Sequence, residues 1–157
     1  MERLWVERHL LEFLEFKLVA AKLFLGADVR RFVAAALSEV EHVVEQVRMA
    51  EIGRGIAVAR VAEDWQVPAE RVTLGYLVSH APEPAGQVFA EHREAFLKLT
   101  TEIEDLTVEN RLMAQTALDH IRQTIDVLVG AEVGTTYGAT GRRADIQAAP
   151  RRLDRVV

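Results

Sequence analysis

The feature that most constrains this chain is a set of leucines that recurs every seven residues near the N-terminus. The four leucines are Leu4, Leu11, Leu18 and Leu25. Leu14 and Ala21 occupy the complementary positions three residues on, and this spacing places all six side chains along one face of an α-helix. The pattern predicts a helix over residues 4–25 that needs a second helix to cover its apolar seam.

A second helix with a matching seam follows after a short connection. We expect Gly26 to end the first helix in a left-handed cap and Asp28 to act as the N-cap of the next. A connection this short makes the two helices antiparallel neighbours. Small residues in the second seam favour a close approach to the first helix. The second seam consists of Val33, Val40 and Val47 in one heptad position and Ala36, Val43 and Ala50 in the other.

Two glycines interrupt the second seam. Gly53 and Gly55 each cost about 1 kcal/mol relative to alanine inside a helix, so we expect a kink or a break there, with helix resuming over residues 56–65. Pro68 suits a first helical turn, and it predicts a short element that runs to Val78.

The longest helix is predicted after Pro82 and Pro84, which close the short element. It covers residues 87–129 and at 1.5 Å per residue would span about 60 Å, which indicates an elongated arrangement. Between Pro82 and Gly130 nine acidic and four basic residues give a net charge of -5, as expected for a solvated outer face. Residues 131–157 are rich in Gly, Ala, Arg and Thr without a period, which predicts a disordered tail.

These patterns predict an all-α fold: an elongated antiparallel helical hairpin or bundle with a long C-terminal helix. A chain of 157 residues is long enough for one domain with its own core. We place that domain at residues 1–130 and a flexible tail at residues 131–157. Abundant helix formers and an aromatic content of 6% agree with this class.

Composition also narrows the compartment and the chemistry. The chain has no cysteine, which excludes disulfides, thiol nucleophiles and cysteine-ligated zinc. Glu2, Glu7 and Glu12 stand among the first apolar residues, unlike the uninterrupted apolar stretch of a signal peptide. No run reaches the roughly 20 apolar residues that span a bilayer. We therefore expect a cytoplasmic protein without membrane insertion.

Three motifs that resemble chemical sites are better explained as ordinary surface. Glu39 and His42 form the Glu-x-x-His pair of di-iron helical bundles, but the sequence holds no second pair. Glycines after residue 133 lack the Gly-Lys-Ser/Thr ending of a phosphate loop. The tail carries five arginines, but the rest of the chain is acidic, and this negative charge disfavours binding to the phosphates of a nucleic acid. We predict no catalytic residue, no metal, no cofactor and no nucleic-acid partner.

The last helix carries an apolar stripe and a second apolar flank. Asn110 and His120 interrupt the stripe. Either they fix the register, as one buried Asn typically does in a coiled coil, or they sit at the edge of the core. The flank widens the apolar sector to about half the helix circumference. Either it packs on two neighbours in a three-helix bundle, or it is exposed and marks a partner site. The stripe contains Leu99, Leu106, Met113, Ala117 and Val127, and the flank contains Leu118, Ile121, Ile125 and Leu128.

Four segments together form a recognisable pattern. They are Leu25-Gly26-Ala27-Asp28, then Ala62-Glu63-Asp64-Trp65-Gln66-Val67 with Thr73-Leu74, then Glu109-Asn110-Arg111-Leu112-Met113, and finally Thr136-Tyr137-Gly138-Ala139-Thr140-Gly141. With these segments, residues 10–142 resemble the FlgN family of flagellar export chaperones. The chain departs from the family in its hydrophobic Phe24, Val29 and Phe32 and in the arginine-rich extension after Gly141.

The resemblance implies a cytoplasmic, ATP-independent chaperone that binds the hook-associated proteins FlgK and FlgL and delivers them to the flagellar type III export gate. Such clients carry amphipathic terminal segments, which a helix with an apolar face can cover. A structural or self-associating coiled-coil protein without a client is the alternative, and the sequence leaves the oligomeric state, including a homo-oligomer, open. We expect the client to bind Leu112, Met113, Leu118, Ile121, Ile125 and Leu128, and Tyr137 to contact the export gate.

Overall fold

The computed structural model describes residues 1–133, and within this range the chain is helical apart from short connections. This confirms the all-α class and the long C-terminal helix. The predicted tail lies, from residue 134 onward, outside the described residues. The helices are α1 (Glu2–Gly26), α2 (Arg30–Trp65), a 3-10 turn (Ala69–Arg71), α3 (Leu74–His80) and α4 (Ala85–Val133).

The chain divides into a first unit, Met1–Thr116, and a second unit that begins at Ala117. In the first unit α1 and α2 form an antiparallel hairpin. Glu7 of α1 pairs with Arg54 of α2, and farther along α1 Lys17 pairs with Glu39. Residue numbers therefore fall on α2 as they rise on α1, which confirms the predicted hairpin.

The part of α4 in the first unit runs parallel to α1. Near the start of both helices the Trp5 and His92 rings meet edge to face, with centroids 4.6 Å apart. Farther along, Lys22 Nζ lies 2.6 Å from Glu109 Oε2. The three long helices thus form an up-down-up bundle, in which a short connection joins α1 to α2 and the segment that contains α3 joins α2 to α4.

The core of the first unit lies where the predicted seams meet. Leu14, Leu18 and Val43 are buried together. Ala21 and Ala36 are also buried, and their small side chains let α1 and α2 approach closely. Burying such apolar surface contributes about 25 cal/mol per Å² to stability. The half-buried residues that pack around this centre are Val40, Val44, Val47, Ile103 and Leu106.

One polar side chain enters this apolar seam from α4. Asn110 is buried, and its Nδ2 donates to the carbonyl oxygen of Leu18 at 3.0 Å and to that of Leu106 at 2.9 Å. The carbonyl oxygen of Leu18 on α1 is therefore paired with one particular residue of α4, Asn110. A slip between the helices would leave the amide buried without this partner, at a cost of about 1–3 kcal/mol.

The connection between α1 and α2 differs from its prediction. α1 ends at Gly26 as predicted, but without the left-handed cap: the residue with a left-handed backbone is Asp28, at φ 52°. Asp28 does not cap α2, because its Oδ1 accepts instead from Arg30 Nε at 2.7 Å. A β-carbon at Gly26 would lie 3.2 Å from Met113 Cε. The glycine therefore also allows the close approach of α1 and α4.

The predicted break at Gly53 and Gly55 is wrong, because α2 runs without interruption from Arg30 to Trp65. Gly53 lies under the side chain of Arg3, whose Nη1 would be 3.3 Å from a β-carbon at this position. Gly55 faces open space, and nothing in the structure explains a glycine there. Tertiary packing along a long helix overrides the low helix propensity of two glycines.

The short element after α2 is in two parts rather than one. Pro68 precedes the 3-10 turn instead of opening a helix. The following helix, α3, begins after Thr73, whose Oγ1 accepts a hydrogen bond from the Tyr76 amide at 3.1 Å. Threonine is a favoured N-cap because its side chain satisfies an amide that the helix leaves free, and this cap moves the start of the helix past the proline.

His92 of α4 is the most completely buried polar side chain of the first unit. It is 1% exposed, and neither ring nitrogen has a hydrogen-bond partner among the described residues. Trp5 meets its edge, and Phe96 stacks on it with a centroid distance of 6.1 Å. Burial lowers the pKa of His92 below its ordinary value, and the Arg8 guanidinium and the N-terminal amine act in the same direction.

We predict that His92 makes the first unit less stable in acid. Because the pKa of His92 is lowered in the folded state, the unfolded chain takes up the proton first as the pH falls. The contribution of His92 to the free energy of unfolding is therefore constant above about pH 6.5 and decreases below it, by up to about 1.4 kcal/mol per pH unit. His92→Phe keeps the ring packing and should remove this loss. Urea unfolding at about pH 7.5 and pH 5.5 measures it.

The control for this prediction is His9→Phe, which replaces an exposed histidine of α1. It should retain the wild-type decline in unfolding free energy. A His92→Phe variant that still loses stability as steeply as the wild type would show that another group causes the decline.

Candidate functional site

α4 presents an apolar face in the second unit of the chain. From residue 118 to residue 129 every side chain is exposed, and the four predicted client contacts in this stretch range from 38% exposed at Ile121 to 63% at Leu128. Leu118, Ile121, Ile125 and Leu128 succeed one another by three, four and three residues, the spacing of one helical face. We name these four residues the aliphatic face.

Two polar contacts beside the aliphatic face are made within α4 itself. Arg122 Nη1 lies 3.3 Å from Asp119 Oδ1. Thr124 Oγ1 donates to the carbonyl oxygen of His120 at 2.8 Å. The aliphatic face therefore offers apolar contact area with a polar margin, which suits an amphipathic partner rather than a polar ligand.

The two remaining predicted contacts, Leu112 and Met113, lie in the first unit and differ from each other. Leu112 is exposed. Met113 is half-buried, and its Cε lies beside Gly26, so it takes part in the packing of α4 on α1. Leu112 and Ile121 are nine positions apart, which is two and a half helical turns. Leu112 therefore belongs to the face of α4 opposite Ile121.

The sequence did not reveal an apolar cavity of about 560 Å³ in the first unit. All four helices line it, and Phe89, Phe96 and Ile103 form its wall on α4. Its other apolar lining residues are Met1, Leu4, Leu11, Val47, Ala57, Val58, Val61, Val72, Leu74 and Leu77. Such a cavity depends on where α3 sits against the bundle, which no local sequence pattern encodes.

A single ion pair is embedded in the wall of this cavity. Arg54 Nε donates to both carboxylate oxygens of Glu7, at 2.8 and 3.1 Å. The Glu7 side chain is 9% exposed and that of Arg54 is 41% exposed. Burial raises the pKa of Glu7, and the charge and hydrogen bond of Arg54 oppose the rise. The one sequence signal for this pair is that Glu7 occupies a seam position between Leu4 and Leu11.

Comparison with known families decides which of the sequence-based interpretations applies. A family model described as FlgN protein matches residues 1–145. The chain belongs to the FlgN family. FlgN proteins are flagellar export chaperones, so the general function of this chain is to escort proteins of the flagellum. Comparisons with curated proteins and with solved structures returned no significant match.

The residues that suggested a metal site are separated in this FlgN-family chain. Glu39 pairs with Lys17 across the hairpin, whereas His42 Nε2 lies 3.3 Å from Gln46 Nε2 on its own helix. Within residues 1–133 no three histidine, aspartate or glutamate side chains form a group that could hold a metal ion. The described pairings are those of surface residues on α2.

Two further expectations for a FlgN protein concern the membrane and the tail. None of the described helices is both long enough and apolar enough to cross a bilayer. Tyr137 and the tail arginines lie outside the described residues, so the export-gate contact stays a prediction.

We predict that Arg54→Ala destabilises the first unit of this FlgN protein by about 2 kcal/mol, because it leaves the Glu7 carboxylate buried without its charged partner. Urea unfolding at pH 7 measures the loss. Arg48→Ala is the matched control, since Arg48 pairs with Glu45 on the exposed surface of the same helix and should cost less than about 0.5 kcal/mol. Equal losses in the two variants would contradict a special role for the buried pair.

Proposed function

We propose that this FlgN protein is a cytoplasmic export chaperone that binds the hook-associated proteins FlgK and FlgL through the aliphatic face and delivers them to the flagellar export gate. Family membership supports the chaperone class. The exposure of Leu118, Ile121, Ile125 and Leu128 is the observation that supports the location of the binding surface.

Leaving the aliphatic face in contact with water has a cost in free energy. Full burial of a wholly exposed aliphatic side chain gains about 1.5–3 kcal/mol, and the four side chains of this face, which are 38–63% exposed, would each gain part of that. Soluble proteins rarely present such a continuous apolar surface without a partner. An amphipathic helix of the client can cover it by packing its own apolar residues between those of α4.

The same burial protects the client before export. An amphipathic segment that later assembles into the filament junction would otherwise expose its apolar stripe and aggregate. Binding of this segment to the aliphatic face buries the apolar surfaces of both proteins in one contact. This mechanism requires no catalysis, no nucleotide and no metal, and we propose none for this protein.

The contribution of Leu112 and Met113 to client binding is proposed to be smaller than that of the aliphatic face. Met113 already contacts the fold beside Gly26, so changing it would disturb packing as well as binding. Leu112 is exposed but belongs to the opposite side of the helix by periodicity. The aliphatic face is therefore the place to separate binding from folding.

A structural coiled-coil protein without a client is the alternative. It would bury the aliphatic face against another copy of the same chain rather than against a client. A client titrated against the purified chain distinguishes the two: a chaperone forms a mixed complex, whereas a structural coiled coil remains self-associated. Family membership favours the chaperone.

We predict that Ile121→Asp with Ile125→Asp weakens binding of FlgK by at least about a hundredfold, because two carboxylates would enter a desolvated contact. Titration calorimetry with purified FlgK measures the affinity. Circular dichroism must show wild-type helix content, so that the change reports binding rather than folding.

The matched control is Val108→Asp with Val127→Asp, which adds the same two charges at exposed valines of α4 outside the aliphatic face. It should bind FlgK with wild-type affinity. If the Ile121 and Ile125 variant is folded and binds like this control, the client site lies elsewhere on the chain.

We also predict that Tyr137→Ala reduces secretion of the client while leaving client binding unchanged. A lone aromatic residue in an Ala-, Gly- and Arg-rich segment suits contact with the export machinery rather than with an amphipathic helix. Secretion of FlgK into the culture medium and calorimetry on the purified proteins separate the two effects. Normal secretion by the variant would remove Tyr137 from the proposed mechanism.

A further inference from the structure

A second exposed apolar surface lies on α1, on the side of the helix that faces away from the core. Phe13, Phe16 and Leu23 are 40%, 61% and 66% exposed. Their spacing of three and seven residues places them on one helical face, and the buried Leu18 belongs to the opposite side. Soluble proteins rarely expose a continuous surface of aromatic and aliphatic side chains without a partner.

The start of α2 widens this surface. Phe32 is 43% exposed, and its ring centroid lies 5.6 Å from that of the half-buried Phe24. A groove of about 220 Å³ between the two helices is lined by both rings and by Ala20 and Ala35. Phe24 and Phe32 are among the residues in which the chain departs from the family pattern, so the general chaperone function does not account for them. We name Phe13, Phe16, Leu23, Phe24 and Phe32 the phenylalanine surface.

The segment that carries most of this surface is basic, although the whole chain is acidic. Residues 16–38 contain four basic residues and one acidic residue, a net charge of +3, whereas the whole chain has a net charge of -5. Lys22 and Arg30 pair with Glu109 and Asp28 on the surface. Because exposed ion pairs of this kind contribute little to stability, another anion can compete for these cations.

The two other cations of this segment lie directly against the exposed rings. Lys17, which also pairs with Glu39, has its Nζ 4.9 Å from the ring centroid of Phe13 and 5.6 Å from that of Phe16. The guanidinium carbon of Arg31 is 4.6 Å from the centroid of Phe32. Long basic side chains beside aromatic rings suit the boundary between lipid headgroups and hydrocarbon, because the rings can enter the apolar layer while the charges stay among the headgroups.

We propose that the phenylalanine surface binds the surface of a membrane that contains anionic lipids, with α1 parallel to the bilayer and without crossing it. In this arrangement the apolar side chains enter the edge of the hydrocarbon layer, while Lys17, Arg30 and Arg31 contact lipid phosphates. A few apolar side chains bind a bilayer weakly by themselves, and the net positive charge of the segment supplies the second part of the attraction.

A membrane fits this surface better than a nucleic acid does. A nucleic acid can stack on the rings, but it offers no apolar partner to Leu23, which is the most exposed of the five side chains. A bilayer accepts aromatic, aliphatic and basic side chains at once and needs no complementary shape. Holding the chaperone at a membrane, with or without a client, goes beyond the proposed function and suits a protein that delivers others for export.

Co-sedimentation of the full chain with lipid vesicles tests this contact. The chain should bind vesicles made of phosphatidylcholine and phosphatidylglycerol in about equal parts at least about tenfold more tightly than vesicles of phosphatidylcholine alone. Added salt should weaken binding to the anionic vesicles, because it screens exposed charges.

Two pairs of serine variants separate the phenylalanine surface from other exposed apolar residues. Phe16→Ser with Leu23→Ser should weaken binding to the anionic vesicles by at least about tenfold, because two apolar side chains no longer enter the bilayer. Leu97→Ser with Val108→Ser makes the same kind of change at exposed residues of α4 and should bind like the wild type. Circular dichroism should show wild-type helix content in both, since all four side chains are exposed.

A charge reversal tests the electrostatic part of the contact. Arg31→Glu should weaken binding to the anionic vesicles by about tenfold, because it places a carboxylate among the lipid phosphates. Arg48→Glu makes the same change at an exposed residue farther along α2 and should weaken binding by less than about threefold.

The absence of cysteine from the sequence allows a second measurement on the full chain. An environment-sensitive dye attached to Leu23→Cys should shift its emission to the blue when anionic vesicles are added, because it enters an apolar layer. The same dye on Val108→Cys, at an exposed position of α4, should keep its emission unchanged.

Three results would overturn the proposal: a wild-type chain that does not sediment with anionic vesicles, a Phe16 and Leu23 variant that binds them as tightly as its control, or equal shifts of the two dyes. A shift of the Leu23 dye with FlgK or with a short RNA, and none with vesicles, would assign the surface to that partner and also overturn it. These outcomes are separate from client binding, because the variants leave residues 118–128 unchanged. A chain that binds vesicles but no client would contradict the proposed function and leave this inference standing.

Discussion

The packing of α1 between α2 and α4 is the interaction on which the rest of the first unit depends. Leu14 and Leu18 pack with Val43 of α2 and with Ile103 and Leu106 of α4, so α1 contacts both of the other long helices. Apolar packing of this kind is tolerant of sliding, because one seam position resembles the next. The Asn110 amide removes that freedom by requiring the Leu18 carbonyl at one height. The apolar seam supplies the free energy, and the single amide specifies the alignment.

The lengths of the helices explain how one chain can combine a packed core with exposed apolar surface. α1 has 25 residues, whereas α2 has 36 and α4 has 49. A helix of 25 residues can cover at most about half of one with 49. Helical periodicity in the sequence continues where internal partners end, and apolar residues in such regions are available to other proteins. The aliphatic face has this origin.

The sequence predicted what depends on local periodicity and missed what depends on distant contacts. The seams, the hairpin and the long last helix follow from spacing alone. Spacing also marks Asn110 as a polar residue in the apolar stripe, but it leaves open whether this residue fixes the register or sits at the edge of the core. The contact of Gly26 with Met113 could not be predicted, because the two residues are 87 positions apart. The sequence predicts a break at Gly53 for a similar reason, since the side chain of Arg3, which packs on this glycine, comes from a distant part of the sequence. The flank of the last helix remained ambiguous in the sequence, since the same residues serve a core or a binding surface.

The ion pair between Glu7 and Arg54 constrains the order in which its two residues can be replaced during evolution. Its two members differ in exposure, with Glu7 9% and Arg54 41% exposed. If Glu7 is first replaced by an aliphatic residue, Arg54 can keep its charge in water by extending its side chain. If Arg54 is lost first, the carboxylate stays in the cavity wall without compensation. Lineages that convert this position to an apolar pair should therefore pass through the arginine intermediate, and those that carry glutamate alone should be rare.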